Sequence, residues 1–379
     1  ITAYGTSLAA TTNYFYDTRG RAKSILYPDG TASYQFYDLV PDMAGWVNTS
    51  VDQANVTISS IYDRAGRLER QIVSALDPQT GQTLQHTSRY EYDAANRLTD
   101  SFDPLNNHTS YTYYPTGQMH TSTAWLDATT LYTTTYDYNL AGEQISVTDA
   151  NDHTTQYQYN ERGLLETTTY PGGVTTSQAY DFAGRLVTST DENGIVTRSA
   201  YNAAGQLTGV TFAYGTDEAA TTQYGYNYTG QLTSILDPKS QLTTFEYNEA
   251  GQQVKKILAD RVTYEQFHYN AAGNMDSHRL EDGNTNTYTY DNMNRLTEIA
   301  YFDGQYANFT YTDGGQRETA STRTQAPAIP QETSYAHDLF QRLKQVTAPD
   351  GRAVSYTYTD NDLRQTMTTP AGTTTYGYD

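Results

Sequence analysis

One pattern recurs along this chain: a Tyr, then Asp or Asn, with a Gly four residues after the Tyr. The fullest copies are Tyr62-Asp63-Arg64-Ala65-Gly66-Arg67-Leu68, Tyr180-Asp181-Phe182-Ala183-Gly184-Arg185-Leu186 and Tyr201-Asn202-Ala203-Ala204-Gly205-Gln206-Leu207. The anchor runs through Tyr16, Tyr37, Tyr62, Tyr92, Tyr113, Tyr138, Tyr159, Tyr180, Tyr201, Tyr226, Tyr247, Tyr269, Tyr290, Tyr311, His337, Tyr358 and Tyr378. Of the 16 intervals between anchors, nine are 21 residues, two are 20 or 22, and five lie between 25 and 30. Such a period marks a repeat array, in which each unit buries its surface only against its neighbours.

Each unit reads as two short strands and two turns. An aromatic residue usually precedes the anchor by two, as in Tyr90/Tyr92, Tyr157/Tyr159, Phe245/Tyr247 and Phe309/Tyr311. Period-two alternation puts both rings on one face of a strand and Thr, Ser, Gln or Glu on the other. Four residues after the anchor come Gly20, Gly66, Gly142, Gly163, Gly184, Gly205, Gly230, Gly251 and Gly273, with Asn96 and Asn294 in two copies. Gly exchanged only for Asn points to a positive φ, where a Cβ is penalised. An apolar residue two positions further opens the return strand, and a second turn of Pro-Asp-Gly or Asp-Pro type follows at constant phase. The reading is all-β: one array of antiparallel hairpins over residues 1–379, about sixteen units, with no separate second domain.

Composition narrows the function classes. The 379 residues include no Cys, which excludes a disulfide scaffold and any thiolate metal site. A net charge of −20 disfavours nucleic-acid and anionic-membrane partners. No apolar run reaches the roughly 18–20 residues of a membrane-spanning helix. With Tyr excluded and Gly included, apolar residues make up about 34%, against ~45–50% for ordinary domains. The 37 Tyr fill that gap, since each can bury a ring and keep its hydroxyl bonded.

The Tyr-Asp-x-x-Gly-Arg-Leu unit resembles the YD repeat, also called the RHS repeat, over nearly the whole chain. The repeat occurs in bacterial rearrangement-hotspot proteins, in the B and C components of insecticidal toxin complexes, in contact toxins and in teneurins. The resemblance implies a hairpin sheet that spirals into a hollow shell, which in the toxins holds a C-terminal toxic domain. It therefore implies a structural, non-catalytic role: encapsulating or presenting a C-terminal toxin or effector in a secreted or surface bacterial protein. An extracellular adhesion or carbohydrate-binding module of teneurin type is the alternative, and a self-assembling filament a third. Expected partners are other shell segments of the same or a second polypeptide, a cargo, and a glycan or cell-surface ligand. About 32 strands at ~4.8 Å make a ribbon roughly 150 Å wide, which must curl. One turn of it would be a girdle too short to enclose a domain, so the chain is expected to be part of a longer shell, or a smaller coil with a filled interior. The start at Ile1 and the stop within a unit fit that expectation.

Residues that could carry chemistry read as structural. The Asp after the anchor alternates with Asn, which transfers no proton as a carboxylate does, so a turn role is expected. Arg after Gly, as at Arg21, Arg67, Arg97, Arg185 and Arg295, reads as a cross-strand hydrogen-bond partner or a lid over a Tyr ring. The seven His show no ligand spacing. The turns Asp149-Ala150-Asn151-Asp152 and Asp360-Asn361-Asp362 lack the spaced ligands and closing Glu of a calcium loop. No catalytic, cofactor or metal residue is expected, and the Asp-Pro-x-Gly-rich self-cleavage signature of the toxin members is absent from the sequence. Trp46 and Trp125, both in the longer intervals, are the candidate partner contacts.

Overall fold

The computed structural model describes residues 11–37, 47–77, 79–126, 130–323 and 331–378. Trp46 lies outside the described residues. All regular structure among them is β: 33 strands, mostly five or six residues long, in one antiparallel sheet. Recorded ladders join consecutive strands, as Val196–Tyr201 pairs with Leu207–Phe212 and that strand with Ala220–Tyr226. This is the local, hairpin-by-hairpin topology that a repeat of two strands and two turns produces.

Most units carry the same irregularity. At the anchor the register slips by one: Ala200 faces Gly209 but Tyr201 faces Leu207, leaving Thr208 without a counterpart. The slip recurs at Tyr16, Tyr62, Tyr92, Tyr138, Tyr159, Tyr180, Tyr226, Tyr247, Tyr290, Tyr311 and Tyr358. An extra residue on one strand is a β-bulge, which bends the strand and adds right-handed twist. Bulges at a fixed phase add that twist once per unit.

The sheet has little conventional core. Among the described residues only Val56, Ala75, Ala213 and Ala307 are buried apolar groups, and no large side chain is fully buried. The anchor Tyr are half-buried, apart from the exposed Tyr16 and Tyr378. In Thr154–Tyr159 the rings of Tyr157 and Tyr159 lie on the half-buried face, while Gln156 and Gln158 are exposed. The longest interval lengthens a hairpin, Leu68–Leu76 with Thr83–Tyr92, rather than adding a loop. Residues 213–219 instead form a turn closed by Tyr214 N–H on Val196 O and by Arg198 Nη1 on the Tyr214 hydroxyl.

The chain divides into two compact units by its internal contacts. The first comprises Ile1–Ser110, Tyr269–Ser277 and Thr285–Asp379, and the second Tyr111–His268 and His278–Asn284.

Candidate functional site

The repeat builds a clasp at each anchor turn. In the unit after Tyr62, Asp63 Oδ1 accepts the N–H groups of Ala65 and Arg67, and Oδ2 accepts Arg67 Nε and Nη2 at 2.6 Å each. The Arg67 backbone N–H and guanidinium hold the Asp63 carboxyl below its ordinary range. Arg67 then reaches across the sheet to the next unit: its guanidinium lies 5.0 Å from the Tyr92 ring centroid, and Nη1 donates to Asp93 O at 2.9 Å. The Tyr92 hydroxyl donates back to Leu68 O at 2.8 Å. One side chain thus ties its own turn, and the next anchor closes the link.

The link repeats with little variation. The hydroxyls of Tyr159, Tyr180, Tyr201, Tyr226, Tyr247, Tyr290, Tyr311 and Tyr358 donate to the carbonyl that opens the previous return strand, at 2.7–2.9 Å. Tyr138 meets the Tyr114 ring edge-on at 6.2 Å, and Tyr62 and Tyr269 also sit at anchors. Gly20, Gly66, Gly142, Gly163, Gly184, Gly205, Gly230, Gly251 and Gly273 hold φ between 73° and 90°.

Two features of the clasp escape the sequence reading. First, the acid and its partner change together. Asp pairs with Arg at 17/21, 63/67, 93/97, 181/185, 291/295 and 338/342, whereas Asn202, Asn227 and Asn248 pair with Gln206, Gln231 and Gln252 through Nδ2–H···Oε1 bonds of 2.8–3.0 Å. In these nine turns a carboxylate takes a guanidinium donor and an amide takes an amide, while Asn139 donates to the Glu143 carboxylate at 2.7 Å. We expect Asp181→Asn and Arg185→Gln each to lower the urea midpoint, and the double change to recover most of the loss. Additive losses would show that the clasp is not a unit. Second, Gly is replaced by more than Asn: Gln341 and Asp362 also occupy the turn position, with φ of 64° and 63°. Only Asn96 and Asn294 stood out in the sequence as exceptions. Both of the other two lie at a seam.

The seam is within the first compact unit. Gln341 Nε2 donates to Asp52 Oδ2 at 2.9 Å, across 289 residues of sequence, and Asn361 Nδ2 donates to Asp103 Oδ2 across 258. His86 stacks on Phe340 with centroids 4.1 Å apart and approaches Asp360 Oδ1 at 3.5 Å. A cleft of about 660 Å³ follows this line, lined in part by Leu84, His86, His337, Leu339, Phe340 and Lys344. Every late residue in these contacts belongs to an anchor turn, and Asp52 and Asp103 belong to second turns. One rim of the sheet is therefore seated on the opposite rim.

Several other ionisable groups pair within the sheet. Lys256 and His278 both donate to Glu265, at 2.6 and 2.8 Å, and hold its carboxyl below the ordinary range. His278 stacks on Phe267, and His108 on Phe102 beside Asp100. Asp149 spends Oδ1 on the N–H groups of Asn151 and His153, and Asp362 pairs with Arg342 at 2.7 Å. Among the described residues no three His, Asp or Glu are grouped as a metal site, and no helix is long and apolar enough to cross a membrane. Trp125 ends the strand Met119–Trp125, partly exposed.

Comparison with known proteins fits this geometry. Residues 46–242, more than half of the chain, match the Teneurin YD-shell family. The chain belongs to that family. The RHS Repeat matches twice more, over 269–306 and 337–374, so the YD-shell reading extends to the later units. The crystal structure of TcdB2-TccC3-Cdc42 superposes with a TM-score of 0.78 at 18% identity, covering 99% of this chain and 22% of that one. TcdB2-TccC3 without hypervariable C-terminal region gives 0.78 at 18% identity, over 97% and 22%. TcdB2-TccC3-TEV gives 0.63 at 16% identity, over 96% and 23%. At these identities the likeness is one of fold, and the YD-shell chain described here spans about a fifth of those polypeptides. No curated protein matches the chain.

Proposed function

We propose that this chain is a non-catalytic wall section of a YD-repeat shell that encapsulates or presents a C-terminal toxin or effector polypeptide in a secreted or surface bacterial protein. The observation that carries the reading is the seam, where an anchor-turn rim of the late units is seated on a second-turn rim of the early ones. A sheet joined rim to rim in this way forms a wall, while an isolated ribbon leaves both rims open. The clasps add to this by making each unit depend on the next. A net charge of −20 suits confinement of a chain, since it keeps the surface hydrated. The structural relatives support the reading through their composition: TcdB2-TccC3 is described both with Cdc42 and without a hypervariable C-terminal region.

Limited proteolysis of the complete native polypeptide tests the proposal. The region beyond the repeats should resist protease while the shell is folded and become as sensitive as the free region once the shell is unfolded. Equal cleavage in both states, or a native polypeptide with nothing beyond its repeats, overturns it.

A further inference from the structure

On the sheet face opposite the anchor rings, the residue before each anchor and its two cross-strand neighbours are polar or small in the later units. Such rows read Asp137–Ser146–Gln156, Gln158–Thr167–Ser177 and Glu246–Lys255–Gln266. The first unit departs from this, because its row reads Phe15–Ser24–Tyr34. In the strand Ala32–Tyr37, Tyr34 and Phe36 turn outward while Ser33, Gln35 and Tyr37 share the half-buried face. Leu26 stands two residues beyond Ser24 on its strand, and Phe36 two beyond Tyr34. Strand and residue spacings place Phe15, Leu26 and Tyr34 within about 7 Å of Ser24 along the backbone, and Phe36 within about 7 Å of Tyr34. These four large side chains are 36–51% exposed. Grouped around one serine, they make a continuous patch of the kind that marks an interaction surface.

We propose that this face binds an uncharged glycan chain, with Phe15, Tyr34 and Phe36 as its stacking rings. Charge selects the occupant. Across the five strands from Asn13–Tyr16 to Thr57–Tyr62 no charged residue is paired on this face, although the chain carries −20. Lys23, the residue left over at the first bulge, stands at its margin. A polyanion therefore meets one cation there, and a cationic segment meets no counter-charge. The groups between the rings are hydroxyls and an amide: Ser24, Thr49 opposite Phe36, and Asn13 opposite Leu26. A lipid tail or an apolar protein surface laid over them would bury these groups without partners, which costs stability. A pyranose chain instead presents C–H faces to the rings and hydroxyls to the groups between them. Phe15 and Tyr34 lie two strands apart, about 10 Å, which is close to the length of a disaccharide unit. The shell reading is not required, since a wall section and an isolated module would carry this face alike.

Affinity electrophoresis of the folded chain in gels containing hydroxyethylcellulose, xyloglucan, laminarin or galactomannan gives the test, with alginate and heparin as charged comparisons. Retardation by at least one neutral polysaccharide and by neither polyanion is the expected result. Tyr34→Ala/Phe36→Ala should weaken it on the order of tenfold, with an unchanged far-ultraviolet spectrum. Tyr34→Leu/Phe36→Leu keeps apolar surface but removes the rings, and should weaken it as much. Phe182→Ser, at an exposed anchor turn of another unit, should leave it intact. No retardation in any neutral gel overturns the proposal, as does retardation by the polyanions alone. Binding retained by the leucine variant also overturns it, and would mark the patch as a docking surface for protein or lipid.

Discussion

Raising the pH above about 10 should unfold the sheet cooperatively, with strand signal lost as tyrosinate absorbance appears. Burial pushes the phenols of Tyr92, Tyr138, Tyr159, Tyr269, Tyr288 and Tyr290 above the ordinary range. The hydrogen bond from Tyr114 to Asp137, at 2.8 Å, does the same to that phenol. Each of these groups is neutral in the fold at a pH where the unfolded chain has already lost the proton. Their stabilisation is therefore complete below the unfolded value of about 10 and is lost as pH rises through the folded values. The anchor hydroxyls add a second cost, because an ionised phenol has no proton to donate to the carbonyls of Leu68, Gln144 or Met275. Seven groups titrating together in a chain with hardly any apolar core make this a large effect. Absorbance and circular dichroism followed on one alkaline titration check it. Tyrosines titrating independently near 10 with the strand signal intact would contradict it.

At the acid end the sign reverses. Asp63, Asp93 and Asp181 are held below their ordinary range by the backbone and guanidinium of the following Arg. Their contribution is present above about pH 4 and fades as pH falls through the lower folded values. These carboxylates are solvent-facing, so the acid limb is shallower than the alkaline one.

How far these features could be read from the sequence depends on the range of the interaction. The period, the strand alternation and the positive-φ position four residues after the anchor are local, and each leaves a mark on neighbouring residues. Gly205 and Tyr201 are four apart in sequence and in one turn. The Asp–Arg and Asn–Gln partnership was also written there, as two columns of the repeat that change together. Reading each column alone hid it. The seam is different, because Gln341 and Asp52 are 289 residues apart and no period connects them. Its one trace in sequence is the missing Gly at 341 and 362. A side chain there tolerates positive φ, at a cost of order 1 kcal/mol, where its contacts compensate. Departures from the repeat were the signal, and they could be interpreted only once the rims were seen together. Trp125 shows the opposite case: a conspicuous residue type singled out in sequence, which the structure places at a strand end, partly exposed.

Tyr201→Ala should cost about 2–3 kcal/mol and Tyr201→Phe about 1 kcal/mol, measured by urea unfolding. The upper figure is set below the 3–5 kcal/mol typical of large aromatic deletions because the ring is half-buried. Alanine removes three connections at once: the ring from under the Arg185 guanidinium, 4.9 Å from its centroid, the hydroxyl from Leu186 O at 2.9 Å, and the side chain at the bulge opposite Leu207. Phenylalanine removes only the hydrogen bond and leaves the Leu186 carbonyl short of a donor. In an array each unit's stability includes its interface with the next, so the damage should be local before it is global. Hydrogen exchange should quicken in Leu186–Thr190, Val196–Tyr201 and Leu207–Phe212, while strands such as Leu296–Ala300 keep their protection. Equal losses for Phe and Ala would mean that the hydroxyl alone carries the link. A uniform rise in exchange over all strands would mean that the sheet opens as one cooperative body and that the damage is not confined to the units flanking Tyr201.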